Sequence, residues 1–182
     1  MLIGNRRLVL LVAKVASSLI LLLVVTTILY ESSHVITATI LGIPIASFTW
    51  FDPNYFAPSI TPGPTENTFG MQIVGYAGGL VTGIILLGIL ILKRDWFRQS
   101  LYKWFLGLSV AAFGVWELSH GILEGAFHDK YIHDVTSIFS SSYYIGHASA
   151  LLGMVVYWFS MRRLKELVMK EGGSCSIQSR RI

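Results

Sequence analysis

Four long apolar runs dominate this chain, and they restrict it to a membrane before any motif is considered. They cover residues 15–41, 71–92, 102–127 and 141–159. Each approaches or exceeds the roughly 20 residues that a helix needs to cross the hydrocarbon core of a bilayer. Composition agrees. Of 182 residues, 53% are hydrophobic and only 13% charged, and the mean hydropathy is +0.62. A soluble domain carries about a quarter charged residues. The balance argues against a water-soluble globule, a disordered chain and a disulfide-built secreted domain. The expected fold is an all-α integral membrane protein with four transmembrane helices. They form one domain over residues 1–163, followed by a cytoplasmic tail over residues 164–182. The first run is long for a single crossing, so it either tilts or breaks near Glu31.

Lysine and arginine set the expected orientation. Arg6, Arg7 and Lys14 precede or open the first run. Lys93, Arg94, Arg98 and Lys103 lie between the second and third. Arg162, Arg163, Lys165, Lys170, Arg180 and Arg181 follow the fourth. Four crossings gather all of these on one face, which the positive-inside rule makes cytoplasmic, and leave Lys130 alone opposite. Both termini are therefore expected in the cytoplasm. Arg6, Arg7 and the apolar run are also ingredients of a signal peptide, but no small-x-small cleavage site follows, so the first helix is read as uncleaved. The pI of about 9.3 reflects this asymmetry. No basic cluster on a soluble surface marks a nucleic-acid binder. Cys175 has no partner for an internal disulfide.

The longest connection, residues 42–70, is expected on the outer side. Its IPIASFTWF segment has a short β-like pattern, and Pro53, Pro58, Pro62 and Pro64 exclude a helix from the remainder. In the second run Gly75, Gly79 and Gly83 form two overlapping GxxxG patterns, the mark of a helix closely approached by a neighbour.

Ionisable groups within spans are costly and are functional suspects. Two ExxH pairs occur, Glu31 with His34 and Glu117 with His120. Residues three apart share one helix face. Glu124 and His128 extend the second pair. At about 1.5 Å per residue, Glu31 lies roughly 24 Å from the inner end of its helix and Glu117 roughly 22 Å from the inner end of its own. His147 lies roughly 20 Å up a core about 30 Å thick. Carboxylate and imidazole at common depth suit zinc or iron, so His34, Glu117, His120 and His147 are the candidate metal ligands. Paired ExxH motifs are also the ligand pattern of di-iron helical bundles. A buried hydrogen-bonded network and a proton path are the alternatives. His133 and Asp134 read as solvated loop residues.

The stretch YESSHVITATILGIPIASFTWFDP, followed by GYAGGLVTGIILLGILIL, resembles the membrane-embedded zinc metallopeptidases of the site-2 protease type. The resemblance covers about a third of the chain, residues 30–92. It implies a HExxH helix, a glycine turn at Gly42, a short β-segment and a later Ala77-Gly78-Gly79 helix. It makes Glu31 the catalytic base that activates zinc-bound water, and His34 a zinc ligand. Tyr30 stands where that family has its first ligand histidine. The family's third ligand is an aspartate on a later helix, for which Glu117 or His120 is the nearest candidate. Either His120 or His147 completes a rearranged site, or the proteolytic chemistry is lost.

A fainter resemblance links EGAFHDKYIHD to the copper-binding C subunit of membrane methane and ammonia monooxygenases. It implies Glu124 and His128 as copper ligands, with Ser141 where the second histidine belongs. The expected function is accordingly a metalloprotease-like membrane protein, active or degenerate, that acts on a transmembrane protein substrate. The alternatives are an iron or copper oxidoreductase, or a subunit of one, and a non-enzymatic partner protein in a larger membrane complex. Membrane lipid is a partner in each case.

Overall fold

The computed structural model describes residues 2–52, 57–126 and 141–160. The elements in chain order are α1 (Leu2–Ile40), β1 (Ile45–Asp52), β2 (Ala57–Pro62), α2 (Thr68–Leu92), α3 (Arg94–Phe97), α4 (Leu101–Ala126) and α5 (Ser141–Ser160). Three helices are long and apolar enough to cross a membrane: Arg6–Ile40, Thr68–Leu92 and Leu101–Ala126. The fourth apolar run forms α5, within which His147–Trp158 is a shorter apolar helix. The expected tail at residues 164–182, with Cys175, lies outside the described residues.

α1 is unbroken for 39 residues. No glycine or proline interrupts it between Gly4 and Gly42, so nothing in the sequence forces a break at Glu31. At about 1.5 Å per residue it is roughly 58 Å long. It ends as glycine-capped helices do. Gly42 takes φ +67°, Gly42 N donates to Thr39 O (3.2 Å) and Ile43 N donates to Ala38 O (2.9 Å). This is the paired Schellman arrangement. Its apolar contact is present too, with Ala38, Ile43 and Val74 forming a small buried cluster.

The β-like segment becomes an antiparallel hairpin. β1 pairs with β2 in the register Ile45↔Pro62, Phe48↔Ile60 and Thr49↔Ser59, with two irregularities. Pro62 sits at the strand end, where a missing N–H costs least. Asn67 then caps α2, its Oδ1 accepting from Gly70 N at 2.8 Å.

The glycine face of α2 meets α4 in an antiparallel contact. Gly79 lies against the backbone of Glu117 and Gly121, Gly75 against Gly125, and Gly83 against Gly114 and Leu118. Close backbone approach of this kind is what small residues permit between apolar helices. At the opposite end from the hairpin, Leu86, Phe97, Trp104, Val110, Ala111 and Tyr157 form the larger core. There the Tyr157 hydroxyl donates to Trp104 O (3.0 Å), and Ser18 bonds Tyr102 (2.7 Å) to level α1 with the start of α4. α4 packs against both α2 and α5. α1 contacts α2 and α4 but, among the described residues, not α5.

Candidate functional site: a tyrosine, histidine and glutamate cluster

The hairpin end of the bundle holds the polar groups. His34 projects from α1 toward α2 and is buried at 6% exposure. Its Nδ1 lies 2.6 Å from Val74 O. A carbonyl can only accept, so Nδ1 donates to it and Nε2 is left facing away from α2's Val74. Gly78, one turn on from Val74, lies against Nε2, and a Cβ there would collide with the ring. The glycine therefore makes the space that His34 occupies.

Nε2 faces the Glu124 carboxylate of α4, with Oε2 3.6 Å away. That is too long for a hydrogen bond. The same oxygen accepts a hydrogen bond from the Tyr30 hydroxyl. Tyr30 also sets its ring edge against His34, with centroids 4.7 Å apart. Positions 30 and 34 lie one turn apart on α1, and Glu124 reaches both from α4.

The remaining sequence candidates are distributed around this cluster. The His120 ring stands 6.0 Å from Tyr30 and 6.2 Å from Trp116. His147 of α5 packs edge-on against Trp116 at 4.6 Å, so the indole lies between the two histidines. Glu117 is buried at 9% exposure on the side of α4 that meets α2. Glu31 and Glu117 both lie within electrostatic reach of Glu124, and Glu117 of Glu31. Among the described residues no three His, Cys, Asp or Glu side chains converge closely enough to hold a metal ion. The two ExxH pairs thus do not assemble into a joint centre there. His128, His133 and Asp134 lie outside the described residues.

The residue that hydrogen-bonds Tyr30 and faces His34 Nε2 is Glu124, while His120 reaches Tyr30 only ring to ring. A sequence signal for it existed. Glu124 is seven residues beyond Glu117, two turns along the same face, but helix spacing does not say which turn faces α1.

A catalytic zinc site needs three protein donors and an open position. Two groups here suit it. His34 has the outer hydrogen bond that orients a ligating imidazole, and Glu124 offers an anionic oxygen to the same point. The third does not. The Tyr30 hydroxyl is a proton donor bound to the very oxygen that a metal would use. Thr82, on the Val74–Gly78 stripe of α2, is fully buried and its hydroxyl has no partner among the described residues. No family model matches the chain, and neither a curated protein nor a solved structure is found to match it.

Proposed function

We propose that this chain is a four-span integral membrane protein of metallopeptidase-like design, with both termini cytoplasmic, whose hydrolytic centre has been closed by Tyr30. In this reading it binds a transmembrane or juxtamembrane segment of another membrane protein without cleaving it. Lipid covers the apolar side chains that α1 exposes, such as Ile20, Leu21 and Leu23. The observation that carries the reading is the Tyr30–Glu124 hydrogen bond at the point faced by His34 Nε2. It satisfies the carboxylate with a phenol where a metal-dependent hydrolase would use an ion. Glu31 then has no metal-bound water to deprotonate.

A second reading is favoured by the geometry of His34 and the space left by Gly78. It is a zinc hydrolase in which His34 and Glu124 bind the ion and Glu31 is the base. Bound zinc would supply a Lewis acid that brings its water near neutral pKa.

Elemental analysis of the detergent-purified protein separates the two. The first reading expects wild type to hold far less than one zinc per chain. Tyr30→His should acquire about one zinc, and Tyr30→His/His34→Ala should lose it again. Stoichiometric zinc in wild type, lost in His34→Ala and Glu124→Gln, would establish the second reading. Iron or copper in wild type would favour redox chemistry instead. A folded Tyr30→His variant without metal would overturn the metallopeptidase-like design.

A further inference from the structure

The end of the bundle away from the hairpin carries a second polar feature, which the Tyr30 cluster does not use. Residues 93–100 join α2 to α4, two helices long and apolar enough to cross a membrane. So short a connection keeps its side chains at the level where a span meets the headgroups. α3 lies within it and is drawn against the bundle by Phe97, which is 2% exposed and belongs to one core cluster with Trp104 and Tyr157. Ile91 and Leu92, at the end of α2, are exposed, as the lipid-facing side chains of a span are. Trp96 is exposed beside them, the position that an interfacial indole takes.

The charge here is one-sided. Between residues 93 and 103, Lys93, Arg94, Arg98 and Lys103 are accompanied by a single acid, Asp95. Lys103 is folded back on the connection. Its Nζ donates to Gln99 Oε1 at 2.6 Å and stands 4.5 Å from the centre of the Trp96 ring. Arg98 is held less completely. Its side chain is 26% exposed, its Nε is buried with no hydrogen-bond partner among the described residues, and its Nη1 comes no nearer to Asp95 Oδ1 than 4.0 Å. Asp95 is 97% exposed, so water screens that pair. A guanidinium offers five donors in a planar fork. This one is partly withdrawn from water and largely unsatisfied, an arrangement that costs free energy until an anion meets it.

We propose that the connection between α2 and α4 binds the headgroup phosphate of an anionic phospholipid in the leaflet it faces. Arg98 supplies the fork, and the Lys103 ammonium, held at neighbouring Gln99, supplies a second cation. This goes beyond the reading above and does not depend on it. A phosphodiester accepts two parallel N–H bonds from a guanidinium. The acyl chains of the same molecule match the exposed Ile91 and Leu92, which a soluble phosphate leaves uncovered. Basic residues beside a span attract anionic lipid in general. Membrane orientation needs only positive charge, at any of the four basic positions, whereas a bound headgroup needs the fork at Arg98.

Native mass spectrometry of the full chain in detergent, titrated with phosphatidylglycerol or phosphatidylcholine, tests the site. The first phosphatidylglycerol should bind on the order of fivefold tighter than phosphatidylcholine. Arg98→Gln should bring that ratio close to one. Arg98→Lys keeps the charge but loses the fork, and should lose most of the preference. Arg94→Gln removes an exposed charge and should lower the preference much less. Thermal melts in phosphatidylcholine check that each variant folds, and Arg98→Lys carries the test if Arg98→Gln does not. Equal binding of the two lipids by wild type would overturn the proposal. Equal losses in Arg94→Gln and Arg98→Gln, or an Arg98→Lys protein indistinguishable from wild type, would reduce it to diffuse charge and overturn it as well. Glycerol phosphate binding as tightly as phosphatidylglycerol would assign the site to a soluble anion and overturn the lipid.

Discussion

The imidazole of His34 is pinned to α2 by Val74, with 2.6 Å from Nδ1 to the carbonyl oxygen, and Gly78 one turn further on leaves room for the ring. An alanine at Gly78 would place its Cβ 2.7 Å from Cε1 and 2.9 Å from Cδ2 of His34, with Nε2 nearer still. The ring would have to leave its site and the Val74 bond with it. Gly78→Ala should therefore cost about 1–3 kcal/mol, the usual range for overpacking. His34→Ala should remove most of that cost in the double variant, because the two residues are in contact. Melting curves of the four proteins in one detergent read both numbers. Independent, additive effects would show that the contact is not made.

Two glycines of α2 make an internal control for helix packing. At Gly79 a new Cβ would meet the Glu117 carbonyl and the Gly121 backbone, which cannot turn aside as a side chain would. At Gly88 it would meet nothing within 4 Å. Gly79→Ala should force α2 and α4 apart and lower the melting temperature. Gly88→Ala should leave it unchanged or raise it, since alanine is favoured over glycine in a helix by up to about 1 kcal/mol. Equal responses would count against the glycine contact as the packing determinant.

Gly42 isolates a backbone cost. Its φ is +67° and no atom lies within 4 Å of the place a Cβ would take. Gly42→Ala should destabilise by about 1–2 kcal/mol through the left-handed conformation alone. Gly42→Asn should be milder, because asparagine tolerates that region better. A thermal melt that ranks alanine no worse than asparagine would rule out the αL cap.

The sequence made some of this legible and hid the rest for physical reasons. Long apolar runs and proline placement announce α2, α4 and the hairpin because hydrophobicity and the missing proline N–H act locally. Gly75, Gly79 and Gly83 announce a packed face for the same reason. The full length of α1 was harder to see. Lys14 and the basic residues at its start read as the edge of a span, whereas helix continuation depends only on the absence of a breaker between Gly4 and Gly42. The partner of Tyr30 was legible only as one of several groups on a face. Glu117, His120 and Glu124 lie on related turns of α4, and only the rotation and height of α4 against α1 select Glu124. Helix period carries neither quantity.

The Tyr30–Glu124 hydrogen bond gives the most direct energetic test of the cluster. Bonds to charged groups contribute about 1.5–3 kcal/mol in soluble proteins. Polar contacts between transmembrane helices average nearer 0.6, with a maximum of about 1.7 kcal/mol. Here the acceptor is half-buried with Glu31 and Glu117 in reach, so losing its donor exposes the carboxylate to uncompensated repulsion. Tyr30→Phe should then cost about 1–2 kcal/mol, above the membrane average and around its upper value. Glu124→Gln should cost less, because a neutral amide can still accept from the phenol while the repulsion disappears. On the Glu124→Gln background Tyr30→Phe should cost less than in wild type, by a coupling of about 1 kcal/mol. Reversible unfolding of the four proteins in mixed micelles measures it. A Tyr30→Phe protein as stable as wild type would remove the hydroxyl from the centre of the site, and with it the argument that Tyr30 closes the site.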